Sequence, residues 1–95
     1  MRIEWTRRAL RELAGIGDYI AQHNPRAAAR VVNAIHSRTL RLLADNPFIG
    51  RPGDIKGTRE LVVPGTPYIV AYRVHDTQID ILFVQHGARE WPEDA

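Results

Sequence analysis

Three β-rich runs, Thr58-Arg59-Glu60-Leu61-Val62-Val63, Tyr68-Ile69-Val70-Ala71-Tyr72-Arg73-Val74 and Ile79-Asp80-Ile81-Leu82-Phe83-Val84, follow one another with only short breaks between them. The first break, Pro64-Gly65-Thr66-Pro67, is turn chemistry, and the second, His75-Asp76-Thr77, is a short polar turn. In the middle run Tyr68, Val70, Tyr72 and Val74 alternate against Ile69, Ala71 and Arg73. In the last run Ile79, Ile81 and Phe83 oppose Asp80, Leu82 and Val84, so both faces are largely apolar and the strand is expected away from a sheet edge. Arg59 shares a face with Leu61 and Val63, which makes it either a paired, buried arginine or one turned to a partner. Arg73, beside Ile69 and Ala71, poses the same question. An ion pair to Glu60 or Asp80 would answer it structurally.

Upstream of these strands the period changes. Ile3 and Trp5 alternate with Arg2 and Glu4 as a short strand, and Thr6 stands as a helix N-cap. Leu10, Leu13, Gly17 and Ile20, flanked by Ala9 and Ile16, give the stripe of an amphipathic helix over 7–22. Pro25 pushes Asn24 out of the α region, so that helix stops near His23 and Asn24. Asn24 as N-cap and Pro25 at the first helical position then start a second helix over 25–44, with Ala28, Val32, Ile35, Thr39 and Leu42 as its seam. Two helices joined this tightly form an antiparallel hairpin. From Phe48 to Gly57 the glycines and prolines read as a loop. The order is β-α-α-β-β-β, an α+β class: a short N-terminal strand, a helical hairpin and a three-stranded antiparallel sheet.

The chain has 95 residues, which fits one domain over 1–95. Its 44% hydrophobic and 25% charged content excludes a wholly disordered chain. No apolar run approaches a membrane span, and the N-terminus lacks a signal-peptide core, so no membrane partner and a cytoplasmic location are expected. Without cysteine there is no disulfide framework and no thiolate chemistry. Twelve of the thirteen basic residues are arginine. That bias suits planar recognition of phosphate or carboxylate, and it equally follows from a GC-rich genome. Residues 1–60 carry eleven basic and six acidic side chains, net +5, while 61–95 carry two and five, net −3.

Candidate chemistry is sparse. His23, His36, His75 and His86 show no metal-ligand spacing, no glycine motif marks a nucleotide site, and the single serine, Ser37, falls mid-helix. No metal and no cofactor are expected. The string Gln85-His86-Gly87-Ala88-Arg89-Glu90-Trp91-Pro92 follows the last strand directly and gathers an imidazole, a guanidinium and an indole within six residues. Such positions are well placed to line a cleft, His86 for proton transfer and Arg89 for a phosphate. Leu10, Leu43 and Phe48 exceed what a helix pair and a small sheet easily cover, and are candidates for a partner-binding surface.

Several of these segments, in fixed order, resemble one family. They are the Trp5 strand with the Leu13-x-x-Ile16-x-x-Tyr19-Ile20 helix, the Asn24-Pro25-x-Ala27-Ala28 restart, Asn46-Pro47-Phe48-Ile49-Gly50-Arg51-Pro52-Gly53, Gly57-Thr58-Arg59-Glu60-Leu61, Pro67-Tyr68 through Val74, and His86-Gly87-Ala88-Arg89-Glu90-Trp91-Pro92. Together they resemble the RelE/ParE superfamily of type II toxin–antitoxin toxins, once called plasmid-stabilisation proteins. The resemblance implies a bacterial growth inhibitor held silent by a cognate antitoxin, to which Leu10, Leu43 and Phe48 would bind. RelE-like members cleave mRNA on the ribosome without a metal, and ParE-like members poison DNA gyrase. RelE-like toxins usually place an arginine after the middle-strand tyrosine, where this chain has Ile69, and carry several loop lysines, where it has only Lys56. Arg89 does match their arginine after the last strand, and His86 resembles a histidine of some nucleases. The ParE branch is therefore the closer resemblance. It implies Arg89, Trp91 and Arg59 as target-binding residues, whereas a ribosome-dependent mRNase would draw His86, Arg89, Arg59 and Arg73 onto one concave face.

Overall fold

A computed structural model of the chain describes residues 1–87. Its elements are β1 (Arg2–Trp5), α1 (Arg7–Ala21), α2 (Pro25–Asp45), β2 (Arg51–Pro52), β3 (Arg59–Val62), β4 (Tyr68–Val74) and β5 (Gln78–His86). Both helix starts follow from their caps. Thr6 Oγ1 accepts the Ala9 N–H at 3.1 Å, and Asn24 Oδ1 accepts the Ala27 N–H at 3.1 Å. Between the helices a Cβ on Gly17 would stand 3.0 Å from Val32, so glycine lets α1 and α2 approach closely.

The sheet has five strands, in the order β1-β5-β4-β3-β2, rather than the three expected. Two short strands make the difference. β1 pairs in parallel with β5, Arg2 to Trp5 opposite Gln78 to Ile81, a pairing across the whole chain that local periodicity does not reveal. β2 is a two-residue pairing of Arg51 and Pro52 with Glu60 and Arg59, inside the stretch read as loop. The antiparallel pairings of β3 with β4 and β4 with β5 are as expected, and β5 has neighbours on both sides.

One register detail changes which residues face the core. Ala71 opposes Phe83 and Tyr72 opposes Ile81, leaving Leu82 as the extra residue of a bulge. Inward alternation along β5 therefore runs Ile79, Ile81, Val84, and Phe83 does not join them in the core. The helices cover one face of the sheet. Ala9, Leu13, Ile35 and Leu43 pack with Leu61, Val63, Tyr68, Val70, Tyr72, Ile79, Ile81 and Val84. Burying each large side chain among them stabilises the fold by about 1.5–3 kcal/mol.

β1 ends opposite Ile81, and from there α1 takes over the side of β5. The Thr6 N–H donates to the Ile81 carbonyl at 3.0 Å, Thr6 Oγ1 donates to the Leu82 carbonyl at 3.0 Å, and the Val84 N–H donates to Glu12 Oε1 at 2.8 Å. Side chains thus accept and donate where a strand would otherwise pair. Among the described residues no helix is long and apolar enough to cross a membrane.

Candidate functional site

The sequence candidates fall in three separate places. His86 ends β5 opposite Tyr68, with the two rings edge-on and 5.3 Å between centroids. It lines a cleft of about 780 Å³ between α1 and the ends of β4 and β5, together with Arg8, Glu12, Tyr19, Tyr68 and Gln85. Arg8 forms the wall: its Nε donates to Glu12 at 3.0 Å, and its guanidinium sits 4.7 Å above the Phe83 ring. Burial lifts the Tyr68 phenol above its ordinary pKa, and the neighbouring Tyr19 adds to the shift. The cleft therefore offers a protonated phenol beside an imidazole, at the far end of the sheet from either arginine candidate. Arg8, Glu12, Tyr19 and Tyr68 were not among the sequence candidates. The one-turn spacing of Arg8 and Glu12 is a sequence signal for that pair alone, and no spacing marks Tyr19 or Tyr68.

Arg59 occupies the helix-side face opposite Tyr72, as alternation required. Its partners are carbonyls, not a carboxylate. Nη1 donates to the Gly50 carbonyl at 2.8 Å and to the Phe48 carbonyl at 3.3 Å, and the guanidinium lies 5.2 Å from the Phe48 ring centroid. Beside it the Tyr72 hydroxyl accepts the buried Gly50 N–H at 2.8 Å. Burial raises the Tyr72 pKa, and the Gly50 hydrogen bond and the Arg59 charge draw it partly back. Phe48 itself stays 57% exposed, held in place from behind.

Arg73 lies on the face turned away from the helices, with Nη1 2.6 Å from where a Cβ on Gly57 would stand. Gly57 has φ +83°, so a side chain is disfavoured there by the backbone. The carboxylates expected to pair with these arginines are held by other residues. Glu60, 7% exposed, is held by Arg51 at 3.2 Å, and Asp80 by His75 at 3.0 Å and Gln78 at 2.6 Å. Among the described residues Arg73 makes no ion pair. Arg59 and Arg73 thus face opposite ways, and His86 pairs five residues further along β4 from Arg73, about 17 Å at strand rise. These three do not meet on one concave face.

Of the remaining candidates, Leu10 is 49% exposed on α1. Leu43 is fully buried in the core between α2 and the sheet, so it offers a partner no surface. Arg89 and Trp91 lie outside the described residues.

The same fold occurs in solved structures of toxin–antitoxin systems. A chain of the chromosomal ParDE toxin–antitoxin system of P. aeruginosa superposes with a TM-score of 0.79 at 30% identity, over 90% of this chain and 95% of that one. The RelBE2 toxin–antitoxin complex of Mycobacterium tuberculosis matches with a TM-score of 0.57 at 29% identity, over 90% and 95%. In sequence, 92 residues are 50% identical to the protein Y4kP of Sinorhizobium fredii, covering 97% of this chain and 94% of that one. A further 38% identity over 89 residues links it to toxin RelE2 of Caulobacter vibrioides, covering 93% and 97%. The chain belongs to the ParE toxin family of type II toxin–antitoxin systems (parDE), which matches it across residues 3–91.

Proposed function

We propose that this toxin arrests bacterial growth by poisoning DNA gyrase, and that a cognate antitoxin silences it by direct binding. The family match and the likeness to a chain of a ParDE system support the branch. The separation of His86, Arg59 and Arg73 carries the choice of mechanism. Metal-free RNA cleavage needs a base, an acid and a stabiliser of phosphorane charge within reach of one phosphate. Arg59 is bound to the Phe48 and Gly50 carbonyls, and Arg73 faces the other side of the sheet. Activity against gyrase needs only a complementary surface, with Arg89 and Trp91 as its anchors. The antitoxin follows from the systems to which the relatives belong, since the P. aeruginosa and M. tuberculosis structures are named as toxin–antitoxin assemblies.

The alternative, a ribosome-dependent mRNase, is favoured by the relative named RelE2 and by the His86–Tyr68 pair in the cleft beside α1. Induction of the toxin separates the two. Trapped gyrase–DNA complexes with DNA-damage signalling are expected. Rapid translation arrest with codon-positioned mRNA cuts and intact DNA would overturn the gyrase reading. On that reading Arg89→Ala and Trp91→Ala abolish toxicity in a folded chain, while His86→Gln leaves most of it.

A further inference from the structure

The segment 46–50, between α2 and β2, is tied down along its length, yet it holds two apolar side chains out in water. Three successive amides are bonded. The Phe48 N–H donates to Asn46 Oδ1 at 3.1 Å, the Ile49 N–H to the Asn46 carbonyl at 3.1 Å, and the Gly50 N–H to the Tyr72 hydroxyl at 2.8 Å. Arg59 Nη1 donates to the Phe48 and Gly50 carbonyls, on either side of Ile49. Phe48 is nevertheless 57% exposed and Ile49 44% exposed. A single exposed apolar side chain is ordinary, but two neighbours on a backbone this constrained form a displayed patch. Within 46–53 the fold uses Asn46 as an acceptor, Gly50 against Tyr72 and Arg51 against Glu60. Phe48 and Ile49 are what it leaves over.

The charge that leads into this patch is negative. The last turn of α2 holds no basic residue and ends at Asp45, which is exposed and makes no ion pair among the described residues. The helix dipole places its negative end at the same point. Arg59 brings a positive charge to the ring, with its guanidinium 5.2 Å from the Phe48 centroid, but its bonds run to backbone carbonyls. It fixes the ring and the peptide together. A phosphate backbone would meet Asp45 and leave the ring and the isoleucine uncovered. A protein surface with an apolar socket and a basic rim matches both features.

We infer that Phe48 and Ile49 anchor the toxin on its protein target, in an apolar socket with a basic rim, and that Arg59 is a positioning residue that presents Phe48. The inference rests on the reading that the target is gyrase, and it adds a second contact region to Arg89 and Trp91. It moves Phe48 from the antitoxin to the target, and it takes Arg59 off the target surface. Rigid anchors bind well because little freedom remains to be lost on docking, and aromatic side chains are enriched at interfaces. The bonded segment meets the first condition and Phe48 the second.

The test titrates the full-length chain against purified gyrase and, separately, against its antitoxin. The variants are Phe48→Ala, Phe48→Leu, Ile49→Ser, Asp45→Lys and Arg59→Ala. Phe48, Ile49 and Asp45 are exposed, so the unfolding midpoints of their variants should stay near wild type. Phe48→Ala and Ile49→Ser should each weaken gyrase binding by about tenfold or more, with antitoxin affinity unchanged. Phe48→Leu keeps the socket filled and should bind within a few-fold of wild type. Asp45→Lys should weaken gyrase binding several-fold and flatten its dependence on salt. Arg59→Ala, measured while folded, should lose gyrase affinity too, and adding it to Phe48→Ala should weaken binding no further. An additive loss overturns the positioning role and makes Arg59 a contact of its own. Unchanged gyrase affinity in both Phe48→Ala and Ile49→Ser overturns the surface while leaving gyrase as the target. Lost antitoxin affinity with gyrase binding intact overturns it in favour of the antitoxin. Lost affinity for a short DNA duplex alone overturns it in favour of nucleic acid. A wild type that binds no gyrase overturns the target and this surface together.

Discussion

The segment after α2 and the cleft beside β5 both interrupt regular pairing, and they are held in opposite ways. The segment from Asn46 to Gly50 is fixed from several directions. Asn46 Oδ1 accepts the Phe48 N–H, Tyr72 accepts from Gly50, and Arg59 donates to two carbonyls. On the cleft side of β5, past the Thr6 contacts to Ile81 and Leu82, one carboxylate, Glu12, accepts from one amide, Val84, among the described residues. A buried hydroxyl and a guanidinium on backbone carbonyls tie the first segment to the core. The second is a surface joint that one side chain closes. An arginine within a family motif can therefore be a scaffold residue, and an unremarked glutamate can take the place of a neighbouring strand at one amide.

Substitutions on the two sides should separate them, beginning with the largest effect. Gly50→Ala would bring a Cβ to 2.7 Å from the Tyr72 hydroxyl and 2.8 Å from the Glu60 carbonyl. Backbone cannot yield there cheaply, so thermal unfolding should report a loss of about 3 kcal/mol. Arg59→Ala leaves the Phe48 and Gly50 carbonyls without their donor and should cost about 2 kcal/mol. A folded, equally stable Arg59→Ala that had lost toxicity would instead make Arg59 a target contact.

Tyr72→Phe strands the Gly50 N–H and should cost about 1–2 kcal/mol. It also alters the alkaline limb of stability. Because the native Tyr72 pKa is raised, the folded state keeps its proton when the unfolded chain has begun to lose it. That share of stability is complete below the unfolded value of about 10 and is lost as pH rises through the native pKa. Denaturant midpoints between about pH 8 and pH 11 should thus fall less in Tyr72→Phe than in wild type. Smallest is Glu12→Ala, about 1 kcal/mol, with faster hydrogen exchange at the Val84 amide and none of these effects in the loop. Were Glu12→Ala to cost more than Arg59→Ala, the contrast between the regions would fail.

Both helices, their caps and the three long strands were legible because each is set by local chemistry: a 3.6 period after Thr6 and Asn24, alternation between turns. The α1 bounds differ from the expectation by one residue at the C-terminus, and so do those of α2. β2 was not legible, since two residues in a Gly/Pro stretch show no alternation. Nor was the partner of β1, which lies more than seventy residues away. The Leu82 bulge defeats strict alternation, and so Phe83 was placed on the wrong face. At the candidate site, the face of Arg59 was legible and its partners were not, because backbone carbonyls carry no sequence signature. Leu43 looked like surplus apolar surface because the expected seam ended at Leu42, whereas α2 buries Leu43 fully and Leu42 only in part.

The parallel pairing of β1 with β5 has a genetic consequence. Among the described strands, the one that joins β1 to the rest of the sheet is made last, since synthesis runs from the N-terminus at about 5–20 residues per second. Until residues 78–86 exist, β1 has no strand to pair with and β4 lacks one of its two neighbours. A frameshift or premature stop anywhere before residue 78 therefore removes the one strand that bridges β1 and β4, and cannot yield a smaller toxin that still folds. Loss of function is all-or-none along most of the reading frame, so a cell that has lost its antitoxin can disarm the gene by almost any truncation.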